Sequence, residues 1–213
     1  MLVGNIGFGH AQSASPELTI SSGPMVGYST HHEVAVWVRM TRPTTVRLRY
    51  WPVDKPDSRT LTPPQKTAGH DRQIAHVYVR NLEPGTRYGF EVLAGDTDFA
   101  VMPLDHPLRF QTQVLWQRRA DPPPFVVAFG SCAYTNDPEY EAPKKKPYGG
   151  GYEIYETIRK AKPDMMLWLG DNIYLRPVDW SSRSGIFRRY SRSRALPALQ
   201  SLLGSVHHYA IWD

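Results

Sequence analysis

Between Leu18 and Gln113, apolar side chains recur at every second position. Glu33–Met40 (EVAVWVRM) sets Val34, Val36 and Val38 against Ala35, Trp37 and Arg39. In Thr45–Trp51, Val46, Leu48 and Tyr50 oppose Arg47 and Arg49. Ile74–Arg80 repeats the alternation through Ala75, Val77 and Val79, and Tyr88, Phe90 and Val92 follow at the same spacing. Successive strand side chains point to opposite faces, so this period predicts half-buried strands. Stretches rich in Pro, Gly and Asp separate them and no helical period competes, a pattern that predicts an antiparallel β-sandwich.

Past Gln113 the pattern changes. Val114–Pro124 is polar and ends in a run of prolines, which predicts a stiff extended linker. Phe125–Phe129 (FVVAF) is continuously apolar and reads as a parallel strand buried on both faces. Tyr152–Ala161 reads as a helix with Ile154, Tyr155 and Ile158 on one face, ended by Pro163. Met165–Leu169 is a second apolar run, halted at Gly170, and the mixed stretch to Gly204 suits one or two helices interrupted by Pro197. Val206–Trp212 reads as a third strand. A β-α-β-α-β order with right-handed crossovers predicts parallel strands with helices on the sheet faces. Three strands are fewer than such sheets commonly hold, so this half reads as the opening part of an α/β domain.

Asn81–Tyr88 (NLEPGTRY) places a tyrosine just after a Pro-Gly turn, where its hydroxyl can return to the turn backbone as a tyrosine corner. The segment resembles the L-x-P-G-T-x-Y signature of fibronectin type III modules, and Arg109–Thr112 (RFQT) resembles their last strand. The expected layout is a leader at 1–16, a fibronectin III-like sandwich at 17–113, a linker at 114–124 and an incomplete α/β domain at 125–213.

Charge and composition narrow the function classes. The 213 residues carry a net charge of +5. Residues 1–113 hold 11 basic and 10 acidic side chains and residues 114–213 hold 14 and 10, so the second half carries the excess that favours an anionic ligand. No apolar run approaches the roughly 18 residues of a membrane span. The one cysteine, Cys132, excludes an intramolecular disulfide and a multi-thiolate zinc site. Gly9-His10-Ala11 has the small-x-small spacing of a signal-peptidase site, so residues 1–16 read as a signal remnant or a disordered leader. No zinc or RNA-recognition signature accompanies the basic residues, which argues against nucleic-acid binding. The stretch Arg176, Arg183, Arg188, Arg189, Arg192 and Arg194 has only Asp179 in opposition; it reads as a solvated helix face, with steering of phosphate-bearing ligands as the alternative.

Ligands of open α/β sheets collect beyond the carboxyl ends of the strands. Gly130-Ser131-Cys132 follows the first predicted strand, Gly170-Asp171-Asn172-Ile173-Tyr174 the second and Asp213 the third. A thiol, two carboxylates and a phenol at one sheet edge suit a high-valent cation, with the oxygens favouring a hard ion such as ferric iron. A carboxylate has two oxygens, so Asp171 could bridge two metals.

Gly-Ser-Cys after a buried strand, Leu-Gly-Asp-x-Ile-Tyr after the next and a terminal Ile-Trp-Asp resemble the alkaline phosphatase D family of calcineurin-like metallophosphoesterases. That family also carries a β-sandwich before its catalytic domain. The resemblance implies hydrolysis of phosphate mono- or diesters by a metal-activated water. Cys132 and Tyr174 would be ligands of Fe3+, and Asp171 would bridge the iron to a second site, usually Ca2+. Asp213 would match the first aspartate of the family's Trp-Asp-Asp-His block. The family's remaining ligands, an asparagine and C-terminal histidines, fall beyond residue 213, and His207 and His208 do not replace them. The resemblance therefore implies an N-terminal portion, inactive alone, of a secreted or periplasmic, monomeric enzyme acting on a phosphate ester substrate. The competing reading is a secreted adhesion or carbohydrate-binding protein working through sandwich aromatics such as Trp37, Tyr50 and Trp51.

Overall fold

The structure is a computed structural model that describes residues 17–68, 73–141 and 148–212. The leader at 1–16, Lys144–Lys146 and Asp213 lie outside the described residues. The first half holds β1 (Ile20–Ser29), β2 (Glu33–Met40), β3 (Thr45–Pro52), β4 (Thr60–Leu61), β5 (Gln65–Lys66), β6 (Ile74–Arg80), β7 (Arg87–Gly95), β8 (Ala100–Val101) and β9 (Leu108–Gln111). One antiparallel sheet has the order β1-β2-β6. The other runs β4-β3-β7-β8, with β5 paired to β3 and β9 to β7.

The period-two pattern fixes which side chains these sheets bury. Val34, Val36 and Val38 of β2, Val46 and Leu48 of β3, and Ala75, Val77 and Val79 of β6 meet Tyr88, Phe90 and Val92 of β7 in one core. Each fully buried aliphatic side chain contributes roughly 1.5–3 kcal/mol, which makes this layer the main stabilising unit of the half. The Glu83 backbone N–H donates to the Tyr88 hydroxyl at 2.9 Å, the tyrosine-corner bond expected from the Pro-Gly turn. Trp37 lies in one sheet and Tyr50 and Trp51 in the other, so these aromatics form no common face. Tyr50 packs on Tyr88 and Phe110, while the Trp51 indole lies across Gly89 so closely that a Cβ there would sit 2.9 Å from it.

The second half holds β10 (Val127–Gly130), α1 (Glu153–Lys160), β11 (Met165–Trp168), α2 (Pro177–Trp180), α3 (Arg183–Arg194), α4 (Pro197–Leu203) and β12 (His207–Ala210). Its three strands are parallel, in the order β10-β11-β12. Pro197 opens α4 at its first turn, where a missing backbone N–H costs nothing. Tyr155 from α1 and Leu199, Leu202 and Leu203 from α4 cover Met166 and Trp168 of β11.

Two expectations need correction here. Phe129 is 72% exposed rather than buried, because β10 is an edge strand and the helices that pack here cover the opposite sheet face. Ile154 is also exposed: the α1 stripe that packs is Tyr155 with Ile158, one position round from it.

The two halves are joined by specific polar contacts. Gln111 N–H donates to His207 Nε2 at 3.0 Å, and His207 Nδ1 therefore carries the proton it donates to the Gly27 carbonyl at 2.7 Å. The Tyr209 hydroxyl accepts from Ser29 N–H, and Asp164 accepts from both Gln111 and the Val126 backbone. Beside it, His208 Nδ1 accepts from the Trp168 indole at 3.0 Å and Nε2–H donates to the Leu202 carbonyl at 3.2 Å. Both histidines are buried members of the framework, and neither is available as a ligand.

Candidate metal centre

β10 and β11 end side by side, and the loops that leave them are joined by backbone bonds. Leu169 N–H donates to the Gly130 carbonyl and Ala133 N–H to the Asp171 carbonyl, both at 2.9 Å. Cys132 (φ 60°) and Asp171 (φ 47°) both adopt the left-handed conformation. That conformation costs a non-glycine residue of order 1 kcal/mol or more, and such outliers concentrate where a side chain must be aimed. The result is direct convergence. The Cys132 thiol donates to Asp171 Oδ2 at 3.3 Å, and the Tyr174 hydroxyl donates to the same oxygen at 2.5 Å. The Tyr174 pKa is pushed well above the ordinary phenol value, first by this bond to Asp171 and then by Cys132, because ionisation would add a negative charge beside them. Cys132 is exposed, so the cluster is open to solvent.

Of the four predicted site residues, the structure brings Cys132, Asp171 and Tyr174 together, and Asp213 lies outside the described residues. Among the described residues, no three His, Cys, Asp or Glu side chains meet, so the third donor of this cluster is a phenol. The donor set fits a trivalent or divalent cation. A thiol and a phenol both donate to one carboxylate oxygen, and a cation held there would meet thiolate, phenolate and carboxylate at once. Asn172 donates to the Ile211 carbonyl at 3.3 Å and ties this loop to the end of β12.

A buried clasp behind the cluster escaped the reading of the sequence. Arg176 donates to Glu141 through Nε at 2.9 Å and to the Thr135 carbonyl at 2.9 Å; it also bonds the Tyr174 carbonyl. Its guanidinium lies 4.3 Å from the centre of the Tyr134 ring, whose hydroxyl donates to Glu141, and that ring packs against Tyr174. One side chain thus holds the loop carrying Cys132 to the loop carrying Tyr174. Burial works against an ionised Glu141, but the bonds from Arg176 and Tyr134 outweigh it and keep the carboxyl below its usual range.

Alongside, Arg189 is almost fully buried and donates at 2.7 Å to both Asp137 and Asp179. The arginine stretch is therefore not simply a solvated face opposed by Asp179. Asp137 and Glu141, from the distant loop after β10, complete its pairing. Three carboxylates in that loop, Asp137, Glu139 and Glu141, were the signal the sequence offered for it.

The architecture is a β-sandwich followed by parallel strands whose carboxyl-end loops gather acidic donors, and solved structures share this fold. The structure of PhoD is similar at 18% identity, with a TM-score of 0.68 over 93% of this chain and 40% of that one. Purple acid phosphatase PPD1 from yellow lupin (Lupinus luteus) seeds is similar at 11% identity, with a TM-score of 0.53 over 90% of this chain and 35% of that one. The chain thus spans well under half the length of either. Residues 17–113 match a family described as a domain of unknown function, DUF7800. No curated protein matches the sequence.

Proposed function

We propose that the chain contributes part of the metal centre of a phosphate-ester hydrolase of the alkaline phosphatase D type. The observation that carries this reading is the meeting of Cys132 and Tyr174 on one oxygen of Asp171, at the carboxyl ends of adjacent parallel strands. Cys132 and Tyr174 would hold Fe3+, with Asp171 shared toward a second ion, Ca2+, and Asp213 would approach from the end of β12. The bound ions would supply Lewis acidity toward phosphoryl oxygens and lower the pKa of a water. The chain's own part is to hold three donors at fixed positions, Cys132 and Asp171 on left-handed turns, with Arg176 locking the two loops. The proposed layout remains a leader at 1–16, a sandwich at 17–113, a linker at 114–124 and a catalytic portion at 125–213. A secreted or periplasmic, monomeric enzyme taking phosphate mono- or diesters is part of the same proposal.

The test is hydrolysis of p-nitrophenyl phosphate and bis(p-nitrophenyl) phosphate by iron- and calcium-loaded protein carrying this chain. Asp171→Asn should abolish turnover and lower the bound iron together. An Asp171→Asn protein that keeps both the metal and the rate overturns the assignment.

A further inference from the structure

A cleft of about 770 Å³ lies between the sandwich and the second half, separate from the donor cluster. Arg39 of β2 stands on one wall, Arg188 and Arg192 of α3 on another, and Thr135 and Asn136 of the loop after β10 on a third. Among the described residues, no acidic side chain lines it. Arg188 and Arg192 are four residues apart on α3, so both present the same helix face to the opening. Their charge is poorly neutralised. Among the described residues each is ion-paired with Asp137 alone, at 3.3 Å and on different oxygens, and Asp137 is already engaged by the buried Arg189 at 2.7 Å; the Arg188 guanidinium also lies 4.4 Å from the centre of the Tyr140 ring.

Each guanidinium carries five N–H donors, and these two line the cleft with side chains 36% and 39% exposed, which leaves donors beyond those bonded to Asp137. The floor beside them is apolar, with Tyr152, Leu196 and Pro197. A pair of planar forks suits a tetrahedral oxyanion with several acceptor oxygens. The apolar floor suits an organic body attached to it.

We infer that this cleft binds a small organic phosphate, its phosphate held by Arg188 and Arg192 and its body lying on Tyr152 and Leu196. The site does not depend on the metal centre. It shares with that centre only the loop that begins at Cys132.

The test is calorimetric titration of metal-free protein, kept in chelator, with phenyl phosphate and with inorganic phosphate. Phenyl phosphate should bind at one site and more tightly than inorganic phosphate. The double variant Arg188→Gln, Arg192→Gln should weaken both ligands by about tenfold or more. Leu196→Ala should weaken phenyl phosphate alone. Cys132→Ser should leave both unchanged, because the anion does not reach the donor cluster. In the wild-type protein, the NMR signals of the Arg188 and Arg192 Nε–H groups should shift on titration, a readout that needs no variant to fold. No binding, binding indifferent to the double variant or binding lost in Cys132→Ser overturns the site. Equal affinity for the two ligands overturns the organic body while leaving the hydrolase reading untouched.

Discussion

His208 should make the protein lose stability in mild acid. Its side chain is buried, with Nδ1 accepting from the Trp168 indole and Nε2–H donating to Leu202. A second proton would have to enter at Nδ1, facing the indole N–H and removed from water. Burial accordingly pushes the pKa down from 6.5 to about 4. The unfolded chain binds the proton first, so stability rises with pH across this range. The contribution is fully present above pH 6.5, falls as the pH drops toward 4 and is gone below it. At about 1.36 kcal/mol per pH unit, that interval amounts to roughly 3 kcal/mol. His207, also depressed by burial, adds in the same direction. Urea denaturation at successive pH values measures the slope directly. His208→Asn keeps an acceptor near the indole and removes the titration, so its stability should vary much less between pH 6.5 and 4 than that of the wild type. Equal slopes for the two proteins would refute a buried neutral His208.

Replacing Tyr88 by Phe removes the bond to Glu83 N–H and should cost about 1 kcal/mol in chemical denaturation. Leu202, wholly buried beneath the parallel sheet, should cost about 2–5 kcal/mol as Leu202→Ala, with the loss read as an earlier urea midpoint at unchanged slope. Arg176→Met strips two loop carbonyls of the arginine donor and leaves the buried Glu141 with the Tyr134 hydroxyl but no cation, so both the thermal midpoint and iron affinity should fall. Arg176→Lys should restore little of either, since one ammonium cannot span the fork's partners. Full recovery by lysine would mean that charge alone, and not the clasp, holds the loops.

The β-sandwich was legible because alternation is a local property: Val34, Val36, Val38, Val46 and Leu48 declare their face without reference to distant chain. The parallel strands were legible in order, but their burial was not. FVVAF looks like an interior strand, yet Phe129 is exposed because burial depends on what packs over a strand, which the strand's own residues do not encode. Short β4, β5 and β8 carry too few residues to establish a period. Cys132, Asp171 and Tyr174 stood out because strand ends collect function in such sheets. The clasp of Arg176 with Glu141, and of Arg189 with Asp137, joins positions 35 and 52 residues apart, and no local pattern announces such a pairing.

In the proposed centre, the Cys132 sulfur and the Tyr174 phenol oxygen bind one ion together with Asp171. X-ray absorption at the iron edge of the loaded protein, combined with its visible spectrum, addresses this directly. A sulfur bonded to iron should be present and disappear in Cys132→Ser, and a phenolate charge-transfer band should disappear in Tyr174→Phe. An iron surrounded only by oxygen and nitrogen, with a spectrum indifferent to both substitutions, would contradict it.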